Sequence, residues 1–128
     1  MKICLHKLLR EALDDLRAVE GDDRYAVCMD CWHTPLLSRC HVCLAGAWAA
    51  KTWGLEPGLH VGNGLLPNIA DKMMVLNSLR SGRARWALHH VGKSVVVEDR
   101  DVPEYAEDRE GFFRELERLC GELEEVGA

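Results

Sequence analysis

Apolar side chains recur at Leu5, Leu8, Leu9, Ala12, Leu13, Leu16 and Val19. That spacing places one apolar stripe along an α-helix. Lys7–Glu11 and Arg10–Asp14 stand four apart on its polar side, where opposite charges add small support. Gly21-Asp22-Asp23 ends this helix and turns the chain. A second stripe closes the sequence. Phe112, Phe113, Leu116, Leu119, Cys120, Leu123 and Val126 predict a helix that starts near Asp108. Gly111 and Gly121 each weaken that helix by about 1 kcal/mol relative to alanine.

The middle of the chain carries weaker patterns. From Arg24 to His33, Tyr25, Val27, Met29 and Cys31 alternate with Ala26, Cys28, Asp30 and Trp32, which predicts a short strand. Thr34-Pro35 is expected to stop it, because proline has no N–H for the ladder. Arg39 to Trp53 reads as a buried helix, with Leu44, Ala47, Trp48 and Lys51 at helical spacing. Ala45, Gly46, Ala49 and Ala50 leave it a small surface that another element can approach, so it is expected at the centre of the core. Trp48 belongs to that core, and Gly54 caps the helix. Residues 54–67 form a loop with four glycines and a short strand at Leu59-His60-Val61. The loop has neither G-x-G-x-x-G nor Gly-Lys-Ser/Thr, so it is not read as a phosphate cradle. Asn68 starts a helix through Ile69, Met73, Leu76 and Leu79. A shorter helix runs from Arg83 to His90, and Ser94 to Glu98 favours a strand. The expected fold is α+β, mainly α, with about four helices and two or three short strands. It forms a single compact domain over residues 1–128, without repeat or linker.

Composition adds boundaries to this picture. A chain of 128 residues buries roughly two-thirds of the surface exposed on unfolding, so it can fold without staples. With 48% hydrophobic and 29% charged residues, it lacks the signature of long disorder. The longest apolar run, Val42 to Ala50, falls far short of the roughly 18 residues that span a membrane. Lys7, Arg10 and Glu11 break any apolar segment near Met1, so no signal peptide is expected. The expected compartment is the cytosol, with the six cysteines reduced or bound to metal.

The net charge of −5 is unevenly spread. Glu98 to Glu125 holds twelve acids and four arginines, a balance of −8. Lys72 to Val97 holds five bases and no acid, a balance of +5. Such regions serve either as solvated helix faces that pair with each other or as a bipolar surface for charged partners.

Cys28-Met29-Asp30-Cys31 and Cys40-His41-Val42-Cys43 are the most specific chemical signal. Two C-x2-C pairs supply four thiolates, a complete tetrahedral set for zinc, with His33 and His41 within reach as substitutes. The competing reading is free thiols packed in the interior. Cys28 and Cys31 lie in a strand pattern, where residues three apart face opposite sides. Cys40 and Cys43 lead into an apolar helix, where free cysteine is a common core residue. The chain is therefore read as cofactor-free, with zinc at Cys28, Cys31, Cys40 and Cys43 as the open alternative. Cys4 and Cys120 are expected in the core.

Thiol catalysis by Cys31 beside His33, or Cys40 beside His41, lacks an identifiable orienting group, so no enzyme is expected. The H-x-E with P-C-x-x-C, H-E-x-x-H and G-x-S-x-G patterns are absent. His89 and His90 are adjacent rather than three or four apart, which does not suit one metal. Arg80, Arg83, Arg85 and Lys93 form a stretch able to contact nucleic-acid phosphates, although the whole chain is acidic.

The stretch Cys40-His41-Val42-Cys43-Leu44-Ala45-Gly46-Ala47-Trp48-Ala49-Ala50-Lys51-Thr52-Trp53-Gly54 resembles a segment of small phage- and prophage-encoded proteins. Met74-Val75-Leu76-Asn77-Ser78-Leu79-Arg80-Ser81-Gly82, the closing amphipathic helix and the preceding Trp32-His33 resemble the same family. The resemblance counts against zinc, because its pattern does not include Cys28 and Cys31; it implies packing roles for Cys40 and Cys43, and carries over no catalytic residue. It also implies an interaction protein that blocks a host machine, such as a CRISPR effector or another defence complex. An acidic face can mimic phosphates and dock on a basic groove. The expected contacts are Glu98, Asp99, Asp101, Glu104, Glu107 and Asp108. The rival expectation is a zinc-stabilised regulatory module that meets nucleic acid through residues 80–93.

Overall fold

The computed structural model describes residues 4–29, 31, 33–59, 102–125 and 127. The helices expected at 68–80 and 83–90, the strands at 59–61 and 94–98, and Arg80, Arg83, Arg85, Lys93, Glu98, Asp99 and Asp101 lie wholly or mainly outside the described residues. Within them the architecture is α+β and helix-rich, with three helices and one three-stranded sheet.

Helix α1 spans Leu5–Glu20. Its stripe is buried from Leu5 to Leu16, with Val19 partly covered, as the periodicity predicts. The C-terminal helix, α3 here, spans Arg109–Glu125. The Asp108 carboxylate accepts a hydrogen bond from the Gly111 amide at 2.9 Å, capping the first turn. Phe112, Phe113, Leu116, Leu119, Cys120 and Leu123 are all buried. Helix α2 spans Leu44–Trp53, and every residue from Leu44 to Ala50 is buried. Gly54 closes it with a left-handed φ of 63°, a conformation that glycine adopts at no steric cost.

The central helix is α1 rather than α2, since α1 packs against both other helices. Lys51 of α2 reaches back to α1, its Nζ 3.0 Å from the Asp15 carboxylate. Asp15 is almost fully buried, and burial pushes its carboxyl up, while Lys51 draws it down. Acids of α3 pair with arginines of α1: Glu117 with Arg17, and Glu124 with Arg10 at 3.5 Å.

The sheet corrects the local reading. Strand β1 is Tyr25–Val27, β2 is His33–Leu36 and β3 is Arg39–Val42. Their order is β1-β3-β2, with β1 parallel and β2 antiparallel to β3. Arg39–Val42 is thus a strand rather than the first turn of a helix. Its burial alternates, with Cys40 and Val42 inside and Arg39 and His41 further out, which is a period of two. Pro35 does not end a strand but pairs opposite Cys40. Proline is tolerated there because β2 is an outer strand of the three, where one side of the backbone needs no ladder partner. Two residues, Leu37 and Ser38, connect β2 to β3.

Candidate metal centre

Register decides which side chains meet. Ala26 lies opposite His41, so these two share one face of the sheet. Cys28 stands two residues beyond Ala26, which returns it to that face. Its amide still donates to the Val42 carbonyl at 2.8 Å, holding the chain against β3 just past the strand's end. The backbone then turns, and the Cys31 amide donates to the Cys28 carbonyl at 3.2 Å. This turn removes the objection that residues three apart in a strand face opposite sides. It brings the Cys31 and Cys28 sulfurs to 3.2 Å.

Cys28 Sγ, Cys31 Sγ and a His41 ring nitrogen lie within 4.8 Å of one another, all half-buried. This cluster can hold a metal ion. Two thiolates on a tetrahedral zinc, each at ~2.3 Å, stand about 3.8 Å apart. The cysteine sulfurs therefore need to part by roughly half an ångström. Two soft sulfurs with one imidazole favour zinc-like ions over magnesium or calcium, which take oxygen ligands.

The other half of the expected four-cysteine set is placed elsewhere. Cys40 is 2% exposed and points into the interior. Its sulfur lies 3.5 Å from Nδ1 and 3.7 Å from Nε2 of the fully buried His33. Nδ1 of His33 is 2.5 Å from the Leu59 carbonyl, and the ring meets Tyr25 edge-on. Cys43 is the N-cap of α2, its sulfur accepting from the Gly46 amide at 3.3 Å. Neither belongs to the Cys28–Cys31–His41 cluster. Cys40 also meets His33 rather than its sequence neighbour His41, because adjacent strand residues face opposite ways. His41 enters as the substitute ligand already visible in the second motif.

Cys120 is buried, and burial pushes its thiol up to about 11, against the pull of nearby Arg10. Cys4 is only half-buried, with its sulfur 3.4 Å from His6 Nδ1, so it is not a core residue.

Glu104, Glu107 and Asp108 are exposed on the segment before α3. The Glu104 carbonyl accepts from the amides of Glu107 and Asp108, making a turn. Asp108 has a structural task as the cap of α3. A node that sequence spacing did not reveal joins Glu20, Tyr105 and Arg109, side chains separated by 85 and 89 positions.

No helix among the described residues is long and apolar enough to cross a membrane. Compared with protein families, curated proteins and solved structures, the chain matches none.

Proposed function

We propose that this chain is a small zinc-stabilised module that acts by binding a partner macromolecule. The observation that carries the reading is the convergence of the Cys28, Cys31 and His41 ligand atoms to within 4.8 Å of one another. Zinc there would tie the turn after β1 to β3, strands that otherwise share a three-residue parallel ladder. Metal binding would then contribute directly to folding free energy. Protein purified under reducing conditions is expected to carry about one zinc per chain by elemental analysis. A chelator should lower its melting temperature. Metal-free protein whose melting ignores both chelator and added zinc would sink the reading.

A second reading concerns the partner. Glu104 and Glu107 are exposed, and no ion pair engages them among the described residues. They favour docking on a basic protein groove, in keeping with the resemblance to phage-encoded proteins that block a host defence complex. Tagged protein should then recover one stoichiometric protein complex from a bacterial lysate. Reversal of both charges, Glu104→Lys with Glu107→Lys, should weaken that complex at least tenfold, and unchanged recovery would remove this surface from consideration. Recovery of nucleic acid alone, lost as salt rises, would instead favour Arg80, Arg83, Arg85 and Lys93 as the contacts.

A further inference from the structure

We infer that Cys28 and Cys31 are a reversible dithiol–disulfide pair, through which a hydroperoxide switches the metal centre off. The inference rests on the zinc reading for its consequence, though not for the disulfide itself.

The geometry favours this pair over every other described cysteine. Its sulfurs stand 3.2 Å apart. A disulfide needs about 2.05 Å, an approach of roughly 1.2 Å. A shared zinc needs about 3.8 Å, a separation of roughly half an ångström. The turn closed by the Cys31-to-Cys28 backbone hydrogen bond thus holds the sulfurs between the two states. Both thiols are half-buried, whereas Cys40, Cys43 and Cys120 are buried. Access to oxidant is a main determinant of which thiol reacts. Cys40 and Cys43 share the same C-x2-C spacing but not the same backbone. Cys40 points inward from a strand and Cys43 caps a helix, so equal spacing does not make them a rival pair.

The chemistry balances with hydrogen peroxide as oxidant. One cysteine sulfur attacks a peroxide oxygen, the O–O bond breaks, and the departing oxygen leaves as water after protonation. The resulting sulfenic acid is attacked by the second sulfur. The S–S bond forms, the S–O bond breaks, and a second water leaves. The dithiol has lost two electrons, and hydrogen peroxide has become two waters. His41 alone then remains of the three ligands, too few to hold the ion. The Cys28 amide bond to Val42 does not involve the sulfurs, so the sheet keeps its register.

The test uses the full chain, purified anaerobically with reductant and assayed for zinc. It is titrated with hydrogen peroxide while a zinc indicator reports release. Intact mass should fall by two hydrogens, and peptide mapping should join Cys28 to Cys31. One zinc should leave for each disulfide formed, and a thiol reductant with added zinc should restore the starting state. Cys31→Ser should abolish the mass loss, and Cys43→Ser should leave it unchanged. Zinc-loaded protein in which Cys28 and Cys31 stay reduced, oxidise only to sulfinic acid, or give way to a Cys40–Cys43 link overturns the inference while leaving the zinc reading intact. Zinc-free protein that still closes the Cys28–Cys31 disulfide removes the zinc reading and keeps the redox pair.

Discussion

Arg109 grips Glu20 with two hydrogen bonds, from Nε at 2.5 Å and from Nη2 at 2.6 Å, and so ties the start of α3 to the end of α1. The Tyr105 hydroxyl donates a third to the same carboxylate. Burial pushes the Glu20 carboxyl up, but the bonds from Arg109 and Tyr105, with the charges of Arg109 and Arg17, hold it below its ordinary value. Burial and Glu20 push the Tyr105 phenol up to about 12, so it remains a donor throughout the neutral range.

The pH dependence has a definite sign. A carboxylate whose folded pKa is depressed stabilises fully above its unfolded value, here 4.5. That contribution is lost as pH falls through the lower folded value. Tyr105→Phe keeps the ring against Phe112 and Phe113 and removes one hydrogen bond. It should cost about 1 kcal/mol at neutral pH. It should also move the Glu20-linked loss of stability to higher pH, as read by urea unfolding across the acid range.

The ligand set is separable by mutation. Cys28→Ser, Cys31→Ser and His41→Ala should each weaken zinc binding by roughly 100-fold or more, since even outer partners of metal ligands are worth ~10–100-fold. Cys40→Ser and Cys43→Ser should leave zinc stoichiometry unchanged. Competition with a chromogenic chelator reads the affinities. Loss of zinc in Cys43→Ser, with Cys31→Ser unaffected, would invert the assignment.

The two glycines of α3 should respond oppositely to alanine. A Cβ on Gly111 would run into the Asp108 carboxylate that caps the helix and would stand 3.0 Å from Pro103 Cγ. Gly111→Ala should therefore destabilise by about 1 kcal/mol, the usual worth of an N-cap, despite alanine's better propensity. A Cβ on Gly121 meets nothing within 4 Å. Gly121→Ala should stabilise by up to about 1 kcal/mol. Thermal or urea melts of the two variants check both signs.

Leu37 occupies the first position of the two-residue β2–β3 loop with φ of 55° and a fully exposed side chain. Hairpin loops of this length favour glycine, asparagine or aspartate at a positive φ. Leucine there is strained by roughly 1–2 kcal/mol, and its side chain buries nothing in return. Leu37→Gly should raise stability by about 1 kcal/mol once glycine's extra unfolded-state entropy is subtracted. A loss of stability in the melting curve would show that the leucine side chain makes contacts that support the fold.

Helices α1 and α3 were legible from residue spacing because their stripes are long and helical periodicity is a local property. The same holds for Gly54 as a cap, Asp108 at a helix start and Trp48 as a core residue, all of which the structure shows. Legibility fell where elements are short. Four residues, Arg39 to Val42, fit either the first turn of a helix or a strand, and only pairing with β1 and β2 selects the strand. Pro35 likewise depends on which strand lies outermost, which no local pattern records.

The candidate metal centre divides in the same way. By itself the sequence showed that Cys28, Cys31, Cys40 and Cys43, with His33 or His41 as substitutes, offer metal-binding side chains at suitable spacing, and it left packed free thiols as the competing reading. Only the tertiary structure decided that His41 joins Cys28 and Cys31 while Cys40 turns inward to His33. The physical reason is register. Ala26 opposite His41 puts the imidazole on the cysteines' face, and a slip of one residue would exchange His41 for Cys40.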